Sequence, residues 1–305
     1  MDLPFIDAHL HLSRDTAQEK LVYSKPGAAD SWFWASPDKI GRYLDWFGMS
    51  HVVFLNVMDT TRMTRARLAK SGSTPSQDEI DAVRRDMQTR VSRFNDWGCE
   101  IHRQDRRLVP CVYIDPVLFG EGAIPELERS VRAGAKGVKM HPDLSGFRPN
   151  ERQLWPLFER MQELDIPVVF DTGASRHSPE DLGRPALFAD LLAAFPRLTV
   201  VLAHLASAYW DERIDLAERF PNVVFDTAGG FNNPMYMARG GPRALPETDA
   251  VRLIRKIGPH RVMFGSDGPA ADPFWQAHQL ARLPMERAEL ELVLAGTARQ
   301  VYRLA

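Results

Sequence analysis

Phe5-Ile6-Asp7-Ala8-His9-Leu10-His11-Leu12 is a short apolar run that carries two histidines two residues apart. In a β-strand, residues i and i+2 project from the same face. Two imidazoles would then stand side by side at one strand end, with Ile6, Ala8, Leu10 and Leu12 facing the other way into packing. Neutral imidazole is a common ligand for zinc and related metals. Taken alone, such a pair is more often two ordinary histidines, so its meaning rests on the rest of the chain.

Similar apolar runs recur to the end of the chain. Strands are expected at 5–9, 51–57, 107–114, 137–141, 168–171, 199–203, 223–226 and 262–265. Most are rich in Val, Ile, Leu or Phe without polar alternation, as in parallel strands buried on both faces. Helical stretches lie between them at 77–97, 124–133, 152–164, 186–195, 210–220 and 249–257, and 287–304 closes the series. Eight strands, each followed by helical material, predict an α/β fold of the (β/α)8 TIM-barrel type. A doubly wound open sheet would normally carry a Gly-rich loop after its first strand, and none occurs. No low-complexity linker interrupts the pattern, so residues 1–305 read as one domain.

Segment 13–45 is too long for a simple connection. With Trp32, Phe33 and Trp34, and Trp46 and Phe47 just beyond, it reads as an aromatic-rich excursion after the first strand. Either it packs as an extra helix or it faces a substrate as a lid. Residues 142–149 and 231–246 read as long loops after strands, where a barrel builds its active site.

Composition narrows the function. Hydrophobic residues make up 44% of the 305, enough for a sizeable core. The net charge of −2, with arginines scattered among acids, favours neither nucleic acid nor an anionic membrane. Cys99 and Cys111 form no disulfide framework or zinc-knuckle spacing. Without a signal-peptide pattern or a long apolar run, a soluble cytoplasmic protein is expected.

Polar groups gather at the predicted strand ends: His9 and His11 on the first, Lys139 and His141 on the fourth, Asp171 on the fifth. His204 follows on the sixth, Asp226 on the seventh and Asp267 on the eighth. A parallel barrel brings all these ends to one face. Any one group alone has an ordinary explanation, such as a core histidine or a helix cap. Their coincidence on six strands points to a site.

These residues resemble the amidohydrolase superfamily, specifically the amidohydrolase-2 branch. That branch includes aminocarboxymuconate-semialdehyde decarboxylase-like enzymes and other TIM-barrel metal-dependent hydrolases. The resemblance spans nearly the whole chain. Ile6-Asp7-Ala8-His9-Leu10-His11 looks like its first-strand motif, and Gly137-Val138-Lys139-Met140-His141-Pro142 resembles its fourth. Segment 167–173 looks like its fifth strand, 195–204 is similar to its sixth, and 262–269 resembles its eighth.

The resemblance implies a divalent metal, zinc first and manganese as the alternative, held by His9, His11, Asp171 and Asp267. It implies that metal-activated water attacks an amide, lactone or related bond of a small, carboxylated substrate. Asp267 would shuttle the proton and His204 would hydrogen-bond the hydroxide or the developing oxyanion. Asp7 would orient the first-strand backbone or a ligand histidine. Lys139, His141 and Arg176 would bind substrate. Family habit suggests a homodimer.

One departure bears on the chemistry. Most relatives carry a metal-binding His on the fifth strand, where this chain has Asp171. Asp171 could replace it and favour a harder metal such as manganese. Alternatively it bonds substrate and the metal loses a ligand, with His141 as a replacement. Lys139 could be carboxylated to bridge two metals, although binding a substrate carboxylate is simpler. Arg176 and His177 could reach an anionic substrate or simply be solvated. Two further functions stay open: non-oxidative decarboxylation of an aromatic or enoic acid, with Trp32, Trp34, Phe231 and Tyr236 lining a closed pocket, and a barrel that binds a ligand without chemistry.

Overall fold

The computed structural model describes residues 3–15, 17–18, 35–71, 74–172, 180–205, 209–229 and 245–305. Eight parallel strands follow one another around a barrel in chain order. They are β1 (Phe5–Leu10), β2 (Met49–Leu55), β3 (Leu108–Tyr113), β4 (Gly137–Met140), β5 (Val168–Phe170), β6 (Val200–Leu202), β7 (Val223–Asp226) and β8 (Val262–Met263). Each expected strand is found, and helices connect them in a (β/α)8 TIM barrel. No helix among the described residues is long and apolar enough to cross a membrane.

The strands are buried on both faces, and each face has its own layer. Val53, Val109, Val169, Val201, Val224 and Met263 fill the barrel interior. Val52, Leu108, Val168, Val200, Val223 and Val262 pack outward against the helices. Ala295, Ala298 and Tyr302 of the C-terminal helices join the interior cluster.

Strict alternation breaks down in β1. Ile6 and Ala8 belong to the interior layer, whereas Leu10 and Leu12 belong to the outer one. The expectation that all four share a face is therefore corrected. The β1/β2 pairing slips between Asp7 and Leu10. An irregularity of this kind re-aims the side chains beyond it. It brings His9 to the inside, on the opposite parity from that expected after Ile6 and Ala8.

The barrel closes where the first strand meets the segment after the last. Ala8 N–H donates to Phe264 O (2.9 Å), Asp267 N–H to His9 O (2.8 Å) and His11 N–H to Gly268 O (2.7 Å). This seam fixes the backbone of His9, His11 and Asp267 to one another.

The helices differ from the sequence reading at several places, among them unexpected helices at Thr60–Leu68 and Pro273–Ala281, and three differences bear on how the barrel packs. Residues Pro37–Phe47, partly within the expected excursion, form a helix that packs on β2. Residues 19–34 of that excursion lie outside the described residues. The long helix runs Gln77–Gln104 rather than stopping before Gly98. A Cβ on Gly98 would come within 3.0 Å of Asn56 Nδ2 and 3.3 Å of Phe54 Cε2, so this glycine allows close helix–strand contact instead of ending the helix. Near the C-terminus, Arg287–Glu291 and Thr297–Tyr302 are separated by a π-helical turn, Leu292–Gly296. Val293 O in that turn accepts Phe264 N–H just after β8 (2.7 Å).

Candidate metal centre

His9, His11 and Asp267 offer three ligand atoms within 4.8 Å of one another. His9 Nε2 lies 3.8 Å and His11 Nε2 3.3 Å from Asp267 Oδ1. The opposite ring nitrogens are occupied. His9 Nδ1 lies 2.8 Å from Asp226 Oδ2, and His11 Nδ1 lies 2.9 Å from Leu55 O. Neither acceptor can donate, so each Nδ1 carries a proton and, in the neutral ring, each Nε2 presents a lone pair to the cluster. Outer hydrogen bonds of this kind set the tautomer of metal-binding histidines. Burial pushes the His9 imidazole down to about 4, so it is neutral as a ligand must be. Burial alone would raise the Asp267 carboxyl, but the imidazoles of His11, His204 and His9 close to it reverse this and hold it ionised. The donor set therefore fits a divalent cation.

Asp171 sits in a second cluster. Its Oδ2 lies 3.0 Å from His204 Nε2 and 3.5 Å from His141 Nε2. His141 Nδ1 accepts the Leu144 backbone N–H (3.3 Å), which puts the neutral ring's proton on Nε2, facing Asp171. His204 Nδ1 lies 3.2 Å from Ala228 O. Both nitrogens of His204 thus face acceptors, which suits the doubly protonated ring. Burial opposes that charge, but Asp171, Asp267 and Asp226 outweigh burial and push His204 up to about 9. The clusters adjoin, with the His9 and His204 rings 5.1 Å apart.

Lys139 shares its strand face with His141 and is almost fully buried, and its Nζ finds no hydrogen-bond partner among the described residues. Arg176 and His177 lie outside the described residues, as do Trp32, Trp34, Phe231 and Tyr236.

Local backbone choices deliver several of these groups. Lys139, His141, Asp171 and Asp226 simply continue the inward parity of their strands. His204 follows the inward-facing Ala203 and so has the wrong parity, but it adopts φ 62°. Asp267 adopts φ 63°. The left-handed region costs a non-glycine residue on the order of 1 kcal/mol, less for short polar side chains. Two site residues hold it. Gly265 supplies clearance, because a Cβ there would lie 2.7 Å from His9 Cβ.

Three supporting residues had no assigned role in the expected site, although Asp226 stood among its strand-end groups. Asp226 accepts His9 Nδ1–H and also the backbone N–H groups of His204 (3.0 Å) and Ala228 (3.0 Å). Its position at a strand end was a readable signal. Ser266 donates to Asp7 through its backbone N–H (3.0 Å) and hydroxyl (2.5 Å). Asp7 also accepts His9 N–H (3.1 Å), so it fixes backbone, while the ligand-orienting role falls to Asp226. Arg213 is fully buried and donates to Thr172 Oγ1 and Thr172 O, both at 3.0 Å. Nothing in the sequence separated it from a solvated helix arginine.

The profile of the amidohydrolase family matches residues 6–304. No curated protein sequence matches the chain. Among solved structures, it is similar to an uncharacterised TIM-barrel protein from Bordetella bronchiseptica, with 20% identity, TM-score 0.70 and 98% of each chain covered. It is also similar to 2,6-dihydroxybenzoate decarboxylase from Rhizobium, with 16% identity and TM-score 0.66 over 99% of this chain and 98% of the other. A dihydroxybenzoic acid decarboxylase from Polaromonas, solved with manganese and 2-nitroresorcinol, aligns with 17% identity and TM-score 0.63 over 99% and 97%.

Proposed function

The chain belongs to the amidohydrolase family and is a metal-dependent enzyme, and from that premise we propose that it decarboxylates a small aromatic or enoic acid without oxidation. The observation that carries this reading is Lys139. A buried amine with no partner among the described residues is a costly feature unless an anion completes it. It suits a substrate carboxylate brought to the mouth of the barrel. The Rhizobium and Polaromonas decarboxylases, which share the fold, support the choice of reaction.

His9, His11 and Asp267 would hold the cation, with Asp171 close behind. A divalent cation there supplies Lewis acidity toward substrate oxygens. Two imidazoles and one carboxylate suit zinc, and recruiting Asp171 would shift the preference to manganese. Asp226 keeps His9 in its ligating tautomer. Lys139 binds and orients the acid. His204, held between Asp171 and Ala228 O, donates its Nε2 proton to the carbon that bears the carboxylate. The proton takes up a carbon–carbon π pair of the acid; the bond to the carboxylate then breaks, its electron pair restores that π bond, and carbon dioxide leaves.

Hydrolysis of an amide or lactone is the second reading. It is favoured by the ionised Asp267 carboxylate, a base placed to accept a proton from water, with His204 as hydrogen-bond donor to an oxyanion.

Reaction of the metal-loaded enzyme with a panel of hydroxybenzoic acids and lactones in deuterated, ¹⁸O-labelled water separates the two. Decarboxylation places one solvent deuterium on the carbon that lost the carboxylate and no ¹⁸O in the organic product. An ¹⁸O-labelled organic product without carbon dioxide release overturns the reading in favour of hydrolysis.

A further inference from the structure

A cavity of about 540 Å³ is lined by Pro167, Thr199, Asn222 and Arg261, the residues just before β5, β6, β7 and β8, and by Gln300 of the C-terminal helix. The metal-centre residues lie at or just beyond the C-terminal ends of strands instead of preceding them, so the two sites lie at opposite ends of the barrel.

Arg261 is held rigidly in this wall. Its Nε donates to Ile257 O (3.1 Å), and its Nη1 donates to Ala217 O (2.6 Å) and Phe220 O (3.1 Å). Those carbonyls sit at the C-terminal ends of the helices Glu247–Ile257 and Trp210–Arg219, where unpaired acceptors are expected. Nη2 has no partner, and no carboxylate forms an ion pair with Arg261, among the described residues. Nearby Arg197 also lacks a carboxylate partner among them. Of the acids on the wall, Asp165 is paired with Arg303, which leaves Glu218.

We infer that this cavity binds a small organic molecule through a carboxylate or phosphate group, with Arg261 as the fixed anchor. An arginine already held by backbone carbonyls loses little freedom on binding, and its remaining N–H donors suit an oxyanion. The cavity's volume is in the range of small-molecule sites and exceeds what a bare ion would fill. The inference does not depend on the reaction proposed for the metal centre.

Calorimetric titration with inorganic phosphate and with citrate tests it, using sodium chloride of equal ionic strength as control. The His9→Ala variant removes the metal centre as the source of any signal. Saturable binding of phosphate or citrate by wild type, retained in His9→Ala, is expected. The stronger of the two probes then identifies the anionic group. Gln300→Glu, an exposed change that places negative charge at the cavity, should weaken binding at least about tenfold, or roughly 1.4 kcal/mol. Arg261→Gln should do the same, and if it unfolds the protein, Gln300→Glu carries the test. No saturable binding by wild type, loss of binding in His9→Ala, or equal binding by Gln300→Glu overturns the inference.

Discussion

His9 Nδ1 lies 2.8 Å from Asp226 Oδ2, across the barrel interior from β1 to β7. The contact sets which nitrogen of His9 faces Asp267. Asp226→Ala should lower metal affinity by about 10–100-fold, the range seen when such outer partners are lost. Asp226→Asn, which keeps an acceptor oxygen, should lose less. Competition titration with a chromophoric chelator measures both, and unchanged affinity in Asp226→Ala would sink the assignment.

Gly265 gives His9 its space. Gly265→Ala puts a methyl group 2.7 Å from His9 Cβ, with backbone on both sides. Something must shift, at a cost of about 1–3 kcal/mol. The expected outcome is a folded protein with a lower melting temperature and a substoichiometric metal content, read by calorimetry and elemental analysis.

Lys139 should trade stability for function. Lys139→Met removes an unpartnered buried amine while keeping most of the volume. The variant should gain about 1–3 kcal/mol in denaturant unfolding and lose activity through a raised KM for the acid substrate. A destabilised variant with unchanged KM contradicts the role given to this amine.

Acid should weaken the fold through histidines remote from the metal centre. His102 is buried, with its Nδ1 2.7 Å from Leu108 O, and burial lowers its pKa below 6.5. His51 is lowered by the same cause. Below pH 6.5 the unfolded chain therefore binds more protons than the native one, and stability falls as pH falls. Urea unfolding between pH 7 and about 5 should show the decline, and His102→Gln should flatten part of it.

Added metal should raise the melting temperature of wild type in proportion to the logarithm of its excess over Kd. The double variant His9→Ala/His11→Ala should not respond. A full response in that variant would place the metal elsewhere.

The barrel was legible because buried parallel strands leave continuous apolar runs, and the positions of Lys139, His141, Asp171 and Asp226 followed from counting along those runs. His9 and His204 were found as strand-end histidines, but their inward placement was not legible. A register slip and a left-handed residue set it, and both depend on neighbouring strands. Asp226 was visible as a strand-end acid, but its partner, 217 residues away in sequence, was not. Gly98 shows the reverse case. A residue that locally ends helices sits within one, because the helix must approach Phe54 and Asn56 closely.

The seam between β1 and β8 has a consequence for how the chain comes apart. Asp7 and Ser266, which bond across it, are 259 residues apart in sequence. A cation held by His9, His11 and Asp267 would act as a clasp on that seam. It would resist any opening that parts the first strand from the last, and would leave untouched the fraying of helices elsewhere on the rim. Hydrogen exchange with and without metal should therefore differ most at the amides of Ala8, His11 and Asp267, the stitches of the barrel's one closing edge.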